Sequence, residues 1–424
     1  MCRTIKVPED VRKMAEAFGD VPLYIVGGFV RNSILGIGET DIDLASEKLP
    51  SEVMSLFGKN AVLVNKRLGT VHIKSANGNV YEHTTFRKES YPEGGGHSPD
   101  SVTIGASMEE DAARRDFSMN ALYADAKTGE VIDPTGRGIN DTLHRIIRTT
   151  SVDPRVIMKD DGLRLLRMVR LAGQLDFFID KQLLSCAKDS VDLLDGVSAE
   201  RIYKELQLIF LAELKHHDFN FDGHRRALLY MKQSGLLAKV FPVFPYIGGD
   251  ENDVETLINV YSNVPSDFTL RLAALLMKAS FSEINTVLCK LKTEKVRSEF
   301  ICGILQYRDF ASYGKPTDVE VRHMVQKLGK EKFMALCVLK RAENMETGIS
   351  GHWRALMDIC EQMEGRYPIS LKEMNIDGEE LIKKLKLKPG RKIGEILNKL
   401  LAWCAERPEN NNKELLLAKA NDYV

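Results

Sequence analysis

Along the first third of the chain, apolar residues come in short runs between turn formers. "PLYIVGG", "DIDLAS", "AVLVNK", "TVHIKS", "NVYEHTTFR" and "MNALYAD" are rich in Val, Ile, Tyr and Thr and bounded by Gly, Asn or Asp, which predicts strands. After about residue 150 the spacing changes. In "DGLRLLRMVRLAGQL", "AERIYKELQLIFLAEL" and "LRLAALLMKA" apolar residues recur every three or four positions, the period of a helix with one buried face. The pattern therefore predicts an N-terminal α+β domain followed by an all-α remainder. Two breaks interrupt it. "ESYPEGGGHSPDS" (Glu89 to Ser101) has the Gly, Pro and Ser content of a mobile loop. "DPTGRGIND" (Asp133 to Asp141) lies where strands give way to helices and reads as an interdomain hinge.

At 424 residues the chain is longer than one core usually serves, so several domains are expected. A hydrophobic fraction of 44% and a charged fraction of 28% are ordinary for a globular protein. The seven cysteines are scattered, with no C-x-x-C pair, which predicts reduced thiols in a cytoplasmic protein and excludes a zinc ribbon. The first twenty residues are charged throughout and do not read as a signal peptide, and no apolar stretch is long enough to span a bilayer. Net charge is −1, yet Leu381 to Lys399 carries seven Lys or Arg against one Glu. A nucleic-acid ligand responds to such a local patch rather than to the total.

One stretch concentrates candidate chemistry: "LYIVGGFVRNSILGIGETDIDLAS", Leu23 to Ser46. Its apolar start predicts a buried strand, Gly27 and Gly28 a tight turn, and Phe29 to Gly36 a helix. Backbone N–H groups at such a junction can hold phosphate oxygens, and Arg31 adds a cationic fork. An ordinary turn is the other reading of two glycines. Asp41 and Asp43 are two apart, which on a strand places both on one side. Paired carboxylates repel unless a cation lies between them, and hard oxygen donors suit Mg²⁺. A solvated edge strand with two acids is the alternative. Glu82, in "NVYEHTTFR", is a third acid that either completes a metal site or lies at the surface. His72 and His83 have no metal-ligand spacing and read as strand histidines.

Taken together these residues resemble a known family. Gly27, Gly28, Val30, Arg31, Asp41 and Asp43 are similar to the G-G-x-V-R…D-x-D signature of nucleotidyltransferases. "EEDAARRDFSMNALYAD" resembles the R-R-D-F-[ST]-x-N-A motif of class II CCA-adding tRNA nucleotidyltransferases and bacterial poly(A) polymerases. "KDDGLRLLRMVRLAGQLDF" resembles their E-D-x-x-R-x-x-R-x-x-R helix, "SAERIYKEL" the E-R-I-x-x-E-L helix that follows, and "LKPGRKIGEILNKLL" a segment of their tail. The resemblance implies a catalytic head at residues 1–140 with a mixed sheet. It implies a base-recognising helical neck at 141–207, a helical body at 208–305 and a tRNA-binding tail at 306–424.

It implies activity and site residues as well. Asp41 and Asp43 would hold Mg²⁺ and act in catalysis, Glu82 keeping the two readings given above. Gly28, Arg31, Arg115, Asp116, Asp161, Arg164, Arg167 and Arg170 match nucleotide-contacting positions, Asp116 being the one that accepts from ribose hydroxyls. Asp161 and Arg164, three apart, are expected on one helical face. A carboxylate acceptor beside a guanidinium donor matches the Watson–Crick edges of cytosine and adenine and rejects uracil and guanine. A helix with a basic solvated face is the plain alternative. Lys383, Lys384, Lys386, Lys388, Arg391 and Lys392 are expected to contact the tRNA backbone, or else to be a solvated surface. The expected activity is template-free addition of CCA to tRNA 3′ ends from CTP and ATP. Poly(A) synthesis, CC-only or A-only addition, or a silent RNA-binding protein are the alternatives.

Departures from the family pattern are few. Asn32 stands where the family usually has Asp, Asp160 replaces Glu, and the Gly-rich segment lacks an arginine. Met277 and Lys278 fall where some relatives carry a phosphohydrolase His-Asp pair, and "HHD" at His216 to Asp218 reads as a polar loop, so no phosphohydrolase activity is expected.

Overall fold

The short runs of the first third pair into one sheet. A computed structural model of the protein describes residues 4–38, 41–91, 99–216, 222–311, 314–345 and 350–424. It divides into two units, Met1–Pro242 and Val243–Val424. In the first, strands β1 (Tyr24–Val26), β2 (Asp43–Ser46), β3 (Ala61–Asn65), β4 (Thr70–Lys74), β5 (Val80–Thr85), β8 (Tyr123–Asp125) and β9 (Val131–Ile132) form a sheet in the order β3-β4-β5-β2-β1-β8-β9. Only β2 and β5 run parallel. A ribbon of β6 (Arg87–Ser90) and β7 (Ser101–Ile104) stands beside it.

Alternation along the strands decides what faces the core. Ile25, Leu44, Ile73 and Tyr81 point to one side and are buried in a cluster with Val11 and Met14 of α1 (Glu9–Ala17) and Phe29 and Val30 of α2 (Gly28–Leu35). Asp43 and Glu82, each one residue out of that phase, therefore face the opposite side. Helices α3 (Pro50–Phe57), α4 (Met108–Ala113) and α5 (Gly138–Leu143) complete the sheet domain.

Two sequence expectations change here. The ends of the Gly-rich segment are strand rather than loop: Glu89 pairs with Val102 and Ser90 with Ser101. Its centre, residues 92–98, lies outside the described residues. The Asp133–Asp141 segment is a packed corner, not an open hinge. Asp133 caps it by accepting from the Ile139 N–H at 3.0 Å, a Cβ on Gly138 would meet the Ser118 carbonyl at 2.5 Å, and Asp141 is fully buried.

Helices α6 (Pro154–Asp160), α7 (Leu163–Leu175), α8 (Lys181–Asp189), α9 (Ala199–Phe210), α10 (Gly223–Gln233) and α11 (Leu236–Val240) follow, with β10 (Ile146–Ile147) and β11 (Phe178–Ile179) as a short parallel pair. α7 is the centre of this group. Leu165, Leu166, Met168, Val169 and Ala172 are completely buried, while Arg164, Arg167 and Arg170 recur every three residues. Gly173 admits α10, since a Cβ there would lie 2.6 Å from the Gly223 carbonyl.

The second unit is helical, from Glu251–Asn263 to Lys413–Asn421. It has one core around Phe333, Trp353 and Leu356 and another around Ile393, Leu400 and Leu416. No helix among the described residues is long and apolar enough to cross a membrane.

Candidate active site

The glycine turn follows from backbone conformation. β1 ends at Val26, and Gly27 then takes φ +74°, ψ −128°, a region that L side chains rarely occupy. A Cβ on Gly27 would be no closer than 3.7 Å to Arg115 Nη1 or the Asn120 carbonyl, so the dihedral rather than the space demands glycine. α2 starts at Gly28 and closes at Gly36 in the left-handed region. Gly27 and Gly28 line a cavity of about 530 Å³.

Carboxylates stand at the rim. β2 begins at Asp43, so Asp41 lies two residues ahead of the strand and the pair does not share a strand face as expected. The two remain electrostatic neighbours. In register, Asp43 sits beside Glu82, and Glu82 beside His72. The side chain of Asp43 reaches solvent. Partial desolvation and the negative charge of Glu82, opposed by Arg115 and reinforced by Asp41, push its carboxyl up to about 6. Such crowding is relieved by a bound cation. Glu82 lies 3.6 Å from His72 Nε2. Among the described residues no three His, Cys, Asp or Glu side chains form a ready-made metal cage. An ion that fills its shell with phosphate and water needs only one or two protein carboxylates, so Asp41 and Asp43 fit it.

The opposite wall is basic. Gly28, Arg31, Asp43, Arg115, Asp116, Asp161, Arg164, Arg167 and Arg170 line the one cavity. Asp41 and Glu82 are not in its lining. Asp111, 1% exposed, organises the head side of the wall. Its Oδ2 accepts from Arg115 Nη2 at 3.0 Å and from the Tyr123 hydroxyl at 2.6 Å. Its Oδ1 accepts from Arg114 Nε and Nη2 at 3.0 and 2.6 Å. The Asp111 carboxyl is driven far below the usual range, burial being outweighed by the two arginines and the tyrosine. Arg115 Nη1 is left toward the glycine turn.

Asp116 holds the second tier. Its Oδ2 receives a bidentate pair from Arg167 at 2.8 and 2.5 Å. Its Oδ1 accepts from the Phe117 N–H and the Asn120 amide at 2.8 and 3.3 Å. Burial raises its pKa, but Arg167 and Arg164 bring it down to about 2. Arg170 is paired with Glu205 at 2.6 Å.

Asp161 and Arg164 do not share a helical face. α6 ends at Asp160, and Asp161 is extended, at φ −149° and ψ 109°. α7 restarts after Gly162, whose Cβ would lie 2.3 Å from the Leu193 carbonyl, so the chain breaks where only glycine fits. Asp161 accepts from Arg201 Nη2 at 2.6 Å and from the Leu163 N–H at 3.0 Å. Arg164 donates from Nη1 to the Ile157 carbonyl and to Asp160, at 2.7 and 3.1 Å, and from Nη2 to the Arg114 carbonyl at 2.9 Å. Three of its five N–H donors are thereby engaged, fixing the plane of the guanidinium.

Sequence reasoning passed over the supports: Asp111, Arg114, Asn120, Tyr123 and Arg201. The spacing of Asp111 to Arg114 and Arg115, three and four residues, was a legible signal for the first of them. The six basic residues of the tail belong to the second unit. Lys383 and Lys384 end the helix Gly378–Leu385, Lys386 is left-handed at φ +52°, and Arg391 and Lys392 open the helix Arg391–Cys404. All six, Lys388 included, are exposed. Of "HHD", only His216 is described; His217 and Asp218 lie outside the described residues.

Residues 23–148 match the family described as Poly A polymerase head domain, and residues 266–420 that described as tRNA nucleotidyltransferase domain 2. A CCA-adding enzyme of Limosilactobacillus reuteri is 30% identical over 414 residues, covering 95% of this chain and 93% of the relative. One from Ligilactobacillus salivarius is 28% identical over 408 residues, covering 95% and 92%. Among solved structures, the Bacillus stearothermophilus CCA-adding enzyme in complex with CTP superposes with a TM-score of 0.73 at 24% identity, covering 98% of this chain and 96% of that one. The Thermotoga maritima enzyme complexed with tRNA gives 0.67 at 20% identity, covering 97% and 94%. These two establish a shared fold. With 30% identity sustained over nearly its whole length, the chain belongs to the CCA-adding enzyme family, nucleotidyltransferases whose chemistry uses a divalent metal.

Proposed function

We propose that this chain builds or repairs the 3′-terminal CCA of tRNA from CTP and ATP, without a nucleic-acid template and with release of pyrophosphate. The observation that carries this reading is the cavity in which a wall of arginines faces Asp43 across a glycine turn. Relatives named as CCA-adding enzymes, one solved with CTP and one with tRNA, supply the substrates.

In this reading the N–H groups at the start of α2, Arg31 and Arg115 bind the triphosphate. Arg167 and Arg170 bind alongside. Asp116 already accepts two bonds from Arg167 and one each from the Phe117 N–H and the Asn120 amide, and accepts from a ribose hydroxyl in exchange for the longest of them, the 3.3 Å bond from Asn120, which favours NTP over dNTP. Asp161 accepts from the exocyclic amine of cytosine or adenine, and Arg164 donates to the adjacent ring nitrogen with an N–H that its backbone partners leave over. Uracil and guanine present the reverse order and leave buried groups unpaired. Asp41 and Asp43 hold the divalent ion, for which we assign Mg²⁺ because the donors are hard oxygens, and Glu82 stands next to them in register. Held by Asp41 and Asp43, the ion would supply a lowered pKa at the primer 3′-hydroxyl and an offset to charge on the leaving pyrophosphate. The arginines hold the α-phosphate still while the primer oxygen forms the new P–O bond and the bond to pyrophosphate breaks.

The fourfold division into head (1–140), neck (141–207), body (208–305) and tail (306–424) is part of the same proposal. So is tRNA-backbone contact by the exposed Lys383, Lys384, Lys386, Lys388, Arg391 and Lys392. The six described cysteines are free thiols, which supports a cytoplasmic location.

The test is product length on tRNA lacking CCA, with labelled CTP and ATP supplied together. Growth by three nucleotides is expected. Growth by one or two marks a CC-only or A-only enzyme, a long A ladder marks a poly(A) polymerase, and binding without extension marks a silent RNA-binding protein.

A further inference from the structure

Arg31 is a buried cation with no acid of its own. It is 6% exposed, and none of its hydrogen bonds among the described residues goes to a carboxylate. Nε and Nη2 both donate to Oδ1 of Asn32, at 3.1 and 2.8 Å, and Nη1 donates to Oδ1 of Asn120. Asp116, the acid whose charge acts on it, takes two N–H groups of Arg167 on one oxygen. Burial lowers the Arg31 pKa to about 10, eased by Asp116 and aggravated by Arg170, so the guanidinium is still charged near neutrality.

Asn32 is a costly way to hold that cation. It is 2% exposed, and its Nδ2 has no hydrogen-bond partner. An aspartate of the same shape would accept the same two bonds, leave no orphaned donor and neutralise the guanidinium. A buried amide donor without a partner costs about 1–3 kcal/mol, and an unpaired buried charge costs more. One exchange of nitrogen for oxygen would remove both penalties. The guanidinium lies in the lining of the cavity beside the first turn of α2, so a ligand with negative charge can take the vacant role of counter-ion.

We propose that Asn32 and Asn120 are positioning residues that aim the Arg31 guanidinium without neutralising it, so that its counter-ion is the polyphosphate of the incoming nucleotide. The proposal rests on reading the cavity as the nucleotide site. It also gives the asparagine at position 32, where the family pattern has aspartate, a physical consequence: the pull on phosphate is stronger and more sensitive to salt.

Asn32→Asp tests it in the full-length protein, with CTP and cytidine as probes. The dissociation constant for CTP should rise about tenfold, the loss of one charge-assisted contact, while cytidine binding stays the same. The salt dependence of CTP binding should flatten. The melting midpoint of the nucleotide-free protein should rise, since the variant supplies the missing carboxylate. In turnover, KM for CTP should rise with kcat within about twofold. A merely structural Asn32 would move none of these selectively for CTP over cytidine. Asn120→Ala, which frees Nη1 without adding charge, should also weaken CTP but leave its salt dependence intact. Unchanged CTP affinity in Asn32→Asp, with the midpoint raised, overturns the inference while the nucleotide site stands. Failure of the unmodified protein to bind CTP overturns both.

Discussion

On one side of the cavity Asp43 meets the negative charge of Glu82 and Asp41, opposed by Arg115, and His72 lies 3.6 Å from Glu82. On the other, each arginine but one already has its acid. Arg115 lies on Asp111, Arg167 on Asp116, Arg170 on Glu205 and Arg201 on Asp161. On the acidic side, burial and then the charges of Glu82 and Asp41 hold the Asp43 carboxyl above its ordinary value, and in the proposed function a cation from outside completes it. The basic side is organised before any ligand arrives, so its donors need little rearrangement as charge develops on phosphate. Arg31 belongs to the basic wall by place but resembles the acidic rim in lacking a counter-ion. Binding and chemistry are thus assigned to opposite physical states of charge: paired charges hold shape, and unpaired charges await substrate and metal.

The strongest way to break this comparison is to remove charge from the rim. Asp43→Asn should lower extension by at least about a thousandfold, the scale of losing metal-held charge stabilisation at a reacting phosphate. CTP affinity without metal should change little, and the melting midpoint should hold or rise because a repulsive charge has gone. Extension assays and thermal melts on the same sample check both arms. Wild-type activity in this variant would end the metal assignment.

The corresponding change on the wall should act on stability instead. Asp111→Asn leaves Arg114 and Arg115 sharing a neutral amide in a site that is 1% exposed. Breaking a buried charge network of this kind costs about 3–5 kcal/mol, to be read from urea denaturation. A loss below about 1 kcal/mol would mean the arginines do not depend on Asp111.

What the sequence made legible follows from the same division. Gly27, Gly28, Arg31, Asp43 and the arginines of α7 could be singled out because unusual residue types at fixed spacing mark groups that meet a ligand. Asn120 and Arg201 could not, because they are ordinary residues whose partners Arg31 and Asp161 come from distant parts of the chain, whereas Asp111 carried a local signal in its spacing to Arg114 and Arg115. The helical period identified α7 but not its start. The break falls at the extended Asp161, and the residue after it is held to glycine by the Leu193 carbonyl, a tertiary contact with no local signature. Strand alternation likewise put Asp41 and Asp43 on one face, whereas β2 begins only at Asp43. The β6–β7 ribbon was hidden because its strands flank a Gly-rich stretch that dominates the local composition.

Acid should sharpen the comparison. Asp116 has a pKa near 2 in the folded protein, below the ordinary carboxylate value. Its contribution is therefore fully present above about pH 4 and is lost as pH falls through about 2. A shift of this size corresponds to about 2–3 kcal/mol. Denaturation series from pH 5 to pH 2 should show that loss, and Asp116→Asn should remove that part of the acid slope. Asp43 has the opposite sign, since its raised pKa favours the protonated rim at low pH.

The smallest effect separates holding shape from reading bases. Arg201 lies outside the α7 arginine stripe, on α9, and its Nη2 donates to Asp161 at 2.6 Å. Its own side chain is about 38% exposed while Asp161 is 17% exposed, so the pair is only partly desolvated and worth little to overall stability. Its consequence is orientation. With Arg201→Met, Asp161 keeps its bond from the Leu163 N–H at one oxygen and loses the one from Arg201 at the other. The carboxylate can then rotate away from the exocyclic amine of cytosine or adenine, and the penalty on uracil and guanine shrinks. Discrimination between CTP and UTP, measured as a ratio of kcat/KM, should fall about tenfold, or roughly 1.4 kcal/mol. The melting midpoint should move little. If discrimination is retained while kcat/KM for every nucleotide falls together, Arg201 acts on the triphosphate or the primer instead, and the orientation of Asp161 does not depend on Arg201.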